Sequence, residues 1–132
     1  MELLKKEVEI LVVDDVMSIR VQIRDLLKNF GFQQITLVSS GPEAMKHLKE
    51  HPVHIVLCDW RMEIGDGLEL LGFIRSEPKL KDLPFVMVTA ENTKERVIEA
   101  IQKGVDSYLV KPITVQQVQD KVFSVLIDKK VI

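Results

Sequence analysis

Nowhere does the sequence hold an apolar run approaching the roughly 20 residues that a membrane-spanning helix needs. Its amino terminus, MELLKKEVEI, is charged throughout and lacks the long apolar core of a secretory leader. Both absences point to a cytoplasmic location. Cysteine is nearly missing, and Cys58 alone cannot build an internal disulfide framework, in agreement with a reducing compartment. No excess of one charge is present either. The formal net charge is −2, with 18 basic residues scattered among 20 acidic ones, so neither a nucleic-acid footprint nor a patch for anionic membranes appears. DNA binding by this chain alone is not expected. No repeat, low-complexity tract or linker interrupts the chain, and 132 residues at 46% hydrophobic composition fit one compact domain over residues 1–132.

What the chain does have is alternation. Short runs rich in Val and Ile, at residues 10–13, 35–38, 54–58, 85–88 and 107–110, alternate with longer stretches of helical periodicity. The runs are mostly too uniformly apolar to have one wet face, which predicts parallel strands covered on both sides. Between the first two, Ile19, Ile23, Leu26, Leu27 and Phe30 make one helical stripe, and Gly31 stands where a left-handed C-terminal residue is wanted. Ser40-Gly41-Pro42-Glu43 opens a second helix that buries Ala44, Met45 and Leu48. Asp66 with Glu69, Asn92 with Glu95 and Thr114 with Gln117 each set an N-cap type three residues before Glu or Gln, predicting the starts of the third, fourth and fifth helices. Gly104 closes the fourth. Five such units joined by right-handed crossovers give an α/β, doubly wound sheet between two helical layers.

In open sheets of this kind ligands bind beyond the carboxyl ends of the strands, at the crevice where strand order reverses. The first strand runs ILVV into Asp14-Asp15, the third runs HIVLC into Asp59, the fourth runs FVMV into Thr89, and the fifth runs YLV into Lys111-Pro112. Three acids, a hydroxyl and an ammonium are predicted to meet on one rim. Singly, each has a plain structural explanation, because Asp and Thr cap helices and Lys is commonly solvated. Together, three converging carboxylates either raise their pKa values or hold a cation. An oxygen-only donor set without His or Cys suits a hard ion such as Mg²⁺.

That set, with the segments DWRMEIGDGLELL, PFVMVTAEN and SYLVKPIT, resembles the receiver family of two-component response regulators over essentially the whole chain, and its CheY-like single-domain members in particular. The resemblance implies a flavodoxin-like (βα)5 fold with strand order 2-1-3-4-5. It implies that Asp59 is the phosphoacceptor, that Asp14, Asp15, Asp59 and the backbone carbonyl of Arg61 surround Mg²⁺, and that Lys111 supplies positive charge to the transferring group. Lys111-Pro112 would be a cis peptide; the plain alternative is a trans Pro112 opening the fifth helix. Thr89 and Tyr108 look like the family's switch pair, which remodels the face formed by the fourth helix, fifth strand and fifth helix. Arg61 and Glu91 occupy positions that tune phosphoryl lifetime. The implied phosphodonor is a histidine kinase, and the implied target is a flagellar motor switch protein or a histidine phosphotransfer protein. Catalysis would be limited to the chain's own phosphoryl transfer and autodephosphorylation, so no enzyme of external substrates is expected.

The chain departs from the family's usual Met-Pro after the acceptor, having Met62-Glu63 and then Ile64-Gly65. Glu63 either faces water or disturbs the metal. His47 and His51 have the spacing of a metal clamp on a helix but read as a solvated face, and Cys58 as a buried inert thiol. Trp60 is either ordinary loop packing or an indole exposed enough to report metal binding. Other classes fit less well. A haloacid-dehalogenase phosphohydrolase places Asp-x-Asp after its first strand, where this chain has adjacent acids, and a flavodoxin-like carrier needs a phosphate-cradling loop that Asp14-Asp15 would oppose. A receiver fold used only for docking, or a receiver that is part of a longer regulator, shares every feature above.

Overall fold

The computed structural model describes residues 2–90 and 93–132. Five parallel strands, β1 (Glu9–Val13), β2 (Gln34–Val38), β3 (Ile55–Asp59), β4 (Phe85–Thr89) and β5 (Ser107–Val110), form one sheet in the order β2-β1-β3-β4-β5. The helices are α1 (Met17–Asn29), α2 (Gly41–Glu50), α3 (Gly67–Ser76) and α4 (Lys94–Lys103). A fifth, α5, runs continuously through Val115–Gln117, a π-helical turn Val118–Val122, and Phe123–Asp128. This is the doubly wound order expected from the sequence.

Successive strand residues point to opposite faces, so each strand feeds two cores. Ile10 and Val12 join Ile23 and Leu27 of α1 and Val122 and Leu126 of α5 on one side. Leu11 and Val13 join Ala44 of α2, Leu70 and Ile74 of α3 and Ala100 of α4 on the other. Every residue of β3 and β4 is buried, whereas the edge strands β2 and β5 are partly open.

Five strand ends move by one residue from the sequence reading, β1 and β2 beginning earlier, at Glu9 and Gln34. β3 starts at Ile55, not His54, and ends on Asp59, which still pairs with Val88 of β4. His54 instead meets the start of β1: its N–H donates to the Glu9 carbonyl at 2.8 Å, and its Nδ1 accepts from the Glu9 N–H at 2.9 Å. β4 likewise takes in Thr89. Ladder hydrogen bonds, which the apolar pattern does not report, set these limits.

The capping pattern holds for α2, α3 and α5, where Ser40, Asp66 and Thr114 accept from the N–H groups of Glu43, Glu69 and Gln117. For α4 the cap is Thr93, whose hydroxyl accepts from the Arg96 N–H at 3.4 Å. The expected Asn92 lies outside the described residues. Gly31 and Gly104 both adopt left-handed φ, 101° and 104°, as their places after helix ends demand.

Arg75, at the end of α3, is an anchor that no motif announced. Its guanidinium donates to the Gly104 carbonyl at 2.8 and 3.1 Å, to the Leu83 carbonyl at 2.6 Å and to the Lys81 carbonyl at 3.1 Å. It also pairs with Asp106 at 3.1 Å, and Asp106 in turn accepts from the Phe85 N–H at 2.8 Å. One side chain thus ties the end of α3 to the start of β4 and the C-terminus of α4. Arg75→Met leaves those carbonyls without their donor and Asp106 with only Lys129 as its ionic partner among the described residues, and should lower unfolding stability by about 2–4 kcal/mol with an unchanged m-value in urea titration.

Candidate functional site

The reversal of strand order between β1 and β3 leaves a cleft at the carboxyl edge of the sheet, and the five residues singled out in the sequence border it. Asp14 leaves β1 with its N–H donating to the Val38 carbonyl at 3.2 Å, which extends the β1–β2 ladder by one step. Its Oδ1 accepts from the Val16 N–H at 2.9 Å, a local turn that aims the carboxylate inward, and its carbonyl accepts from Arg20 at 2.6 Å. Asp14 and Asp59 are buried, while Asp15 is exposed at the mouth. One carboxylate oxygen from each of the three lies within 4.8 Å of the others, and this is the only group of three or more such ligands among the described residues.

Lys111 reaches this cluster from β5. Its N–H donates to the Thr89 carbonyl at 2.8 Å, continuing the β4–β5 ladder past Val110. Its Nζ stands 2.9 Å from Asp14 Oδ2 and 3.4 Å from Asp59 Oδ2. The Lys111-Pro112 peptide is cis. Thr89, buried at the end of β4, completes the rim.

Burial pushes the Asp59 carboxyl up to about 6, with the Asp14 charge adding to the effect and Lys111 only partly opposing it. Burial alone would lower the Lys111 ammonium. Its hydrogen bond to Asp14 and the charges of Asp59 and Asp14 outweigh that and hold it above the ordinary lysine value. One ammonium against three carboxylates leaves negative charge uncompensated when all are ionised. The donor set, all oxygen and open on the Asp15 side, fits a hard divalent cation.

The loop leaving β3 is held close to this cluster. The Glu63 N–H donates to Asp15 Oδ2 at 3.2 Å, so Glu63 joins the site through its backbone, and the residue itself is exposed. Arg61 lies in the same exposed loop, and Glu91 lies outside the described residues. Sequence reasoning missed Gly67. Its N–H donates to the Trp60 carbonyl at 2.8 Å, and a Cβ there would lie 2.6 Å from the Asp59 carbonyl oxygen. Only glycine lets α3 begin against the backbone of the acceptor strand.

Trp60 packs inward, 4% exposed, with its ring edge-on to Tyr108 at 6.4 Å and the Arg96 guanidinium 5.3 Å over it. Loop packing is therefore the correct one of its two readings. Tyr108 is itself buried. Cys58 is fully buried, which pushes its thiol well up, and it donates to the Asp59 carbonyl at 3.2 Å. The His47 and His51 rings stack at 4.7 Å, and no third ligand joins them among the described residues.

The sequence profile described as "Response regulator receiver domain" matches residues 10–123. The chain is 39% identical over 119 residues to chemotaxis protein CheY-3 of Vibrio cholerae, covering 90% of this chain and 92% of that one. It is 38% identical over 114 residues to chemotaxis protein CheY of Pseudomonas aeruginosa, covering 86% and 92%. Among solved structures, the chemotaxis response regulator CheY4 of Vibrio cholerae superposes with a TM-score of 0.83 at 26% identity, covering 90% of this chain and 98% of that one.

The Asp59 shift has a stability consequence. From an ordinary value of 3.8, its carboxyl rises to about 6 in the folded state, so the folded protein binds that proton more tightly than the unfolded chain. The group costs no stability below the lower value, and its penalty grows as pH rises through the window and is complete above the upper one. In metal-free buffer at neutral pH, Asp59→Asn should be more stable than the parent by about 1–3 kcal/mol in chemical unfolding, and the difference should vanish near pH 4.

Proposed function

As a member of the response regulator receiver domain family, and of its CheY-like kind, this chain carries a site whose chemistry we propose to be Mg²⁺-dependent phosphorylation of Asp59 by a histidine kinase. The observation that carries the proposal is the convergence of Asp14, Asp15 and Asp59 with the Lys111 ammonium, from three strands far apart in the sequence, into one hydrogen-bonded cluster.

Asp14, Asp15, Asp59 and the Arg61 carbonyl would hold the ion, which when bound neutralises charge on the transferring oxygens. A carboxylate oxygen of Asp59 attacks phosphorus in line with the leaving group. The new O–P bond forms as the P–N bond to the donor histidine breaks, and the electron pair of that bond stays on the imidazole. Lys111 already bridges Asp14 and Asp59, so its ammonium stands beside the oxygens of the arriving group. The Thr89 hydroxyl then turns toward the phosphoryl oxygens, and Tyr108 repacks in answer. That biases the face formed by α4, β5 and α5 between two arrangements. Arg61 and Glu91 shield the acyl phosphate from water. The product is a signalling state, so the chain turns over no external substrate. The chemotaxis names of its relatives support a role in chemotaxis, in which the target would be a flagellar motor switch protein or a histidine phosphotransfer protein and the site of action the cytoplasm. Among the described residues no helix is long and apolar enough to cross a membrane.

Incubation with acetyl phosphate and Mg²⁺ should add one phosphoryl mass to the intact parent, with no gain in EDTA and none for Asp59→Asn. A parent that binds Mg²⁺ yet gains no mass would sink the phosphoacceptor reading in favour of a docking module.

A further inference from the structure

Among the described residues β5 is an edge strand, paired with β4 on one side and followed by no strand on the other. Backbone groups along such an edge need other partners. α5 supplies them with two side chains. Lys121 Nζ donates to the Tyr108 carbonyl at 2.7 Å. Gln117 does more: its Oε1 accepts from the Val110 N–H at 2.9 Å, and its Nε2 donates to the carbonyls of Val110 at 3.0 Å and Pro112 at 3.1 Å. Val110 and Pro112 are the neighbours of Lys111. A single carboxamide therefore grips the backbone immediately before and after the residue whose ammonium reaches Asp14 and Asp59.

We propose that Gln117 is the positioning residue for Lys111, its carboxamide fixing the backbone from which the ammonium reaches the transferring phosphoryl group. The inference rests on the phosphoacceptor reading of the site. A lysine side chain is long and flexible, so where its head group can settle depends on where its Cα is held. On one side that backbone is fixed by the Lys111 N–H to Thr89; on the other it is fixed by Gln117. Gln117 is itself anchored, since its own N–H donates to the Thr114 hydroxyl at 3.1 Å in the first turn of α5.

The chemistry of the clamp is specific to a carboxamide. It must accept one hydrogen bond and donate two, which neither a carboxylate nor an apolar chain can do. Glutamate would keep the acceptor for the Val110 N–H but set a negative oxygen against two carbonyls. Asparagine is one methylene shorter. Gln117 stands three residues after the Thr114 N-cap, and its carboxamide turns to β5 and Pro112.

The test compares the parent with Gln117→Met, close to it in size, and Gln117→Glu. Phosphoryl uptake from acetyl phosphate is followed by intact mass at saturating Mg²⁺ and donor, and Mg²⁺ affinity is measured separately by calorimetry. Both variants should lose roughly tenfold in the uptake rate at saturating donor while the Mg²⁺ dissociation constant stays within about twofold, because the three carboxylates are untouched and only the ammonium is displaced. Rates within about twofold of the parent, or a rate loss matched by an equal loss of Mg²⁺ affinity, would overturn the proposal, the second outcome marking a general loosening of the site. The two readings fail separately: a parent that gains no phosphoryl group defeats the phosphoacceptor assignment, whereas a parent that is modified while both variants keep pace defeats the role of Gln117 alone.

Discussion

Like charge gathered at the carboxyl edge of a parallel sheet is the constraint around which this molecule is arranged. Asp14 and Asp59 are buried within reach of each other, and two carboxylates gathered there call for a counter-charge. Lys111 supplies one, at 2.9 and 3.4 Å, from the end of β5, which lies three places from β1 with β3 and β4 between them. The remaining imbalance is not a defect. A site left with excess negative charge in the metal-free protein is one that a divalent cation can complete, and the raised Asp59 carboxyl reflects its burial together with the Asp14 charge that Lys111 only partly opposes.

The surroundings of the site connect it to elements farther away. Trp60 follows Asp59 directly in the chain, and its indole lies between the Tyr108 ring and the Arg96 guanidinium. Tyr108 belongs to β5 and Arg96 to α4, so two elements of the proposed output face touch the residue next to the acceptor. The far end of α4 is held differently: Arg75 binds the Gly104 carbonyl and thereby fixes the helix C-terminus to α3. α4 is thus anchored at its C-terminus by two hydrogen bonds from one guanidinium and reaches Trp60 near its N-terminus through Arg96.

Glycine and amide side chains set the close tolerances. Gly67 lets α3 start against the Asp59 carbonyl, and the Gln117 carboxamide bonds the backbone of the edge strand β5. Both act on backbone rather than on ligand, and both lie beside a residue of the acidic cluster or its lysine.

Much of this was legible in the sequence, and for identifiable reasons. Apolar runs and helical stripes reflect burial, which is a property of each residue's own side chain, so five strands, five helices, the left-handed Gly31 and Gly104, and the caps Ser40, Asp66 and Thr114 could be read locally. Asp14, Asp15, Asp59, Thr89 and Lys111 could be placed on one rim because each follows or ends a strand, and parallel strands share one carboxyl edge. Ladder ends, the Thr93 cap, the inward Trp60, the Arg75 anchor and the Gln117 clamp could not, because each depends on a partner whose identity folding alone decides. The sequence by itself determined which side chains carry charge, fill the core and end each strand. Only the tertiary structure decided which backbone groups they meet, because those hydrogen bonds join residues with no fixed spacing along the chain and form only once the sheet and its helices have packed.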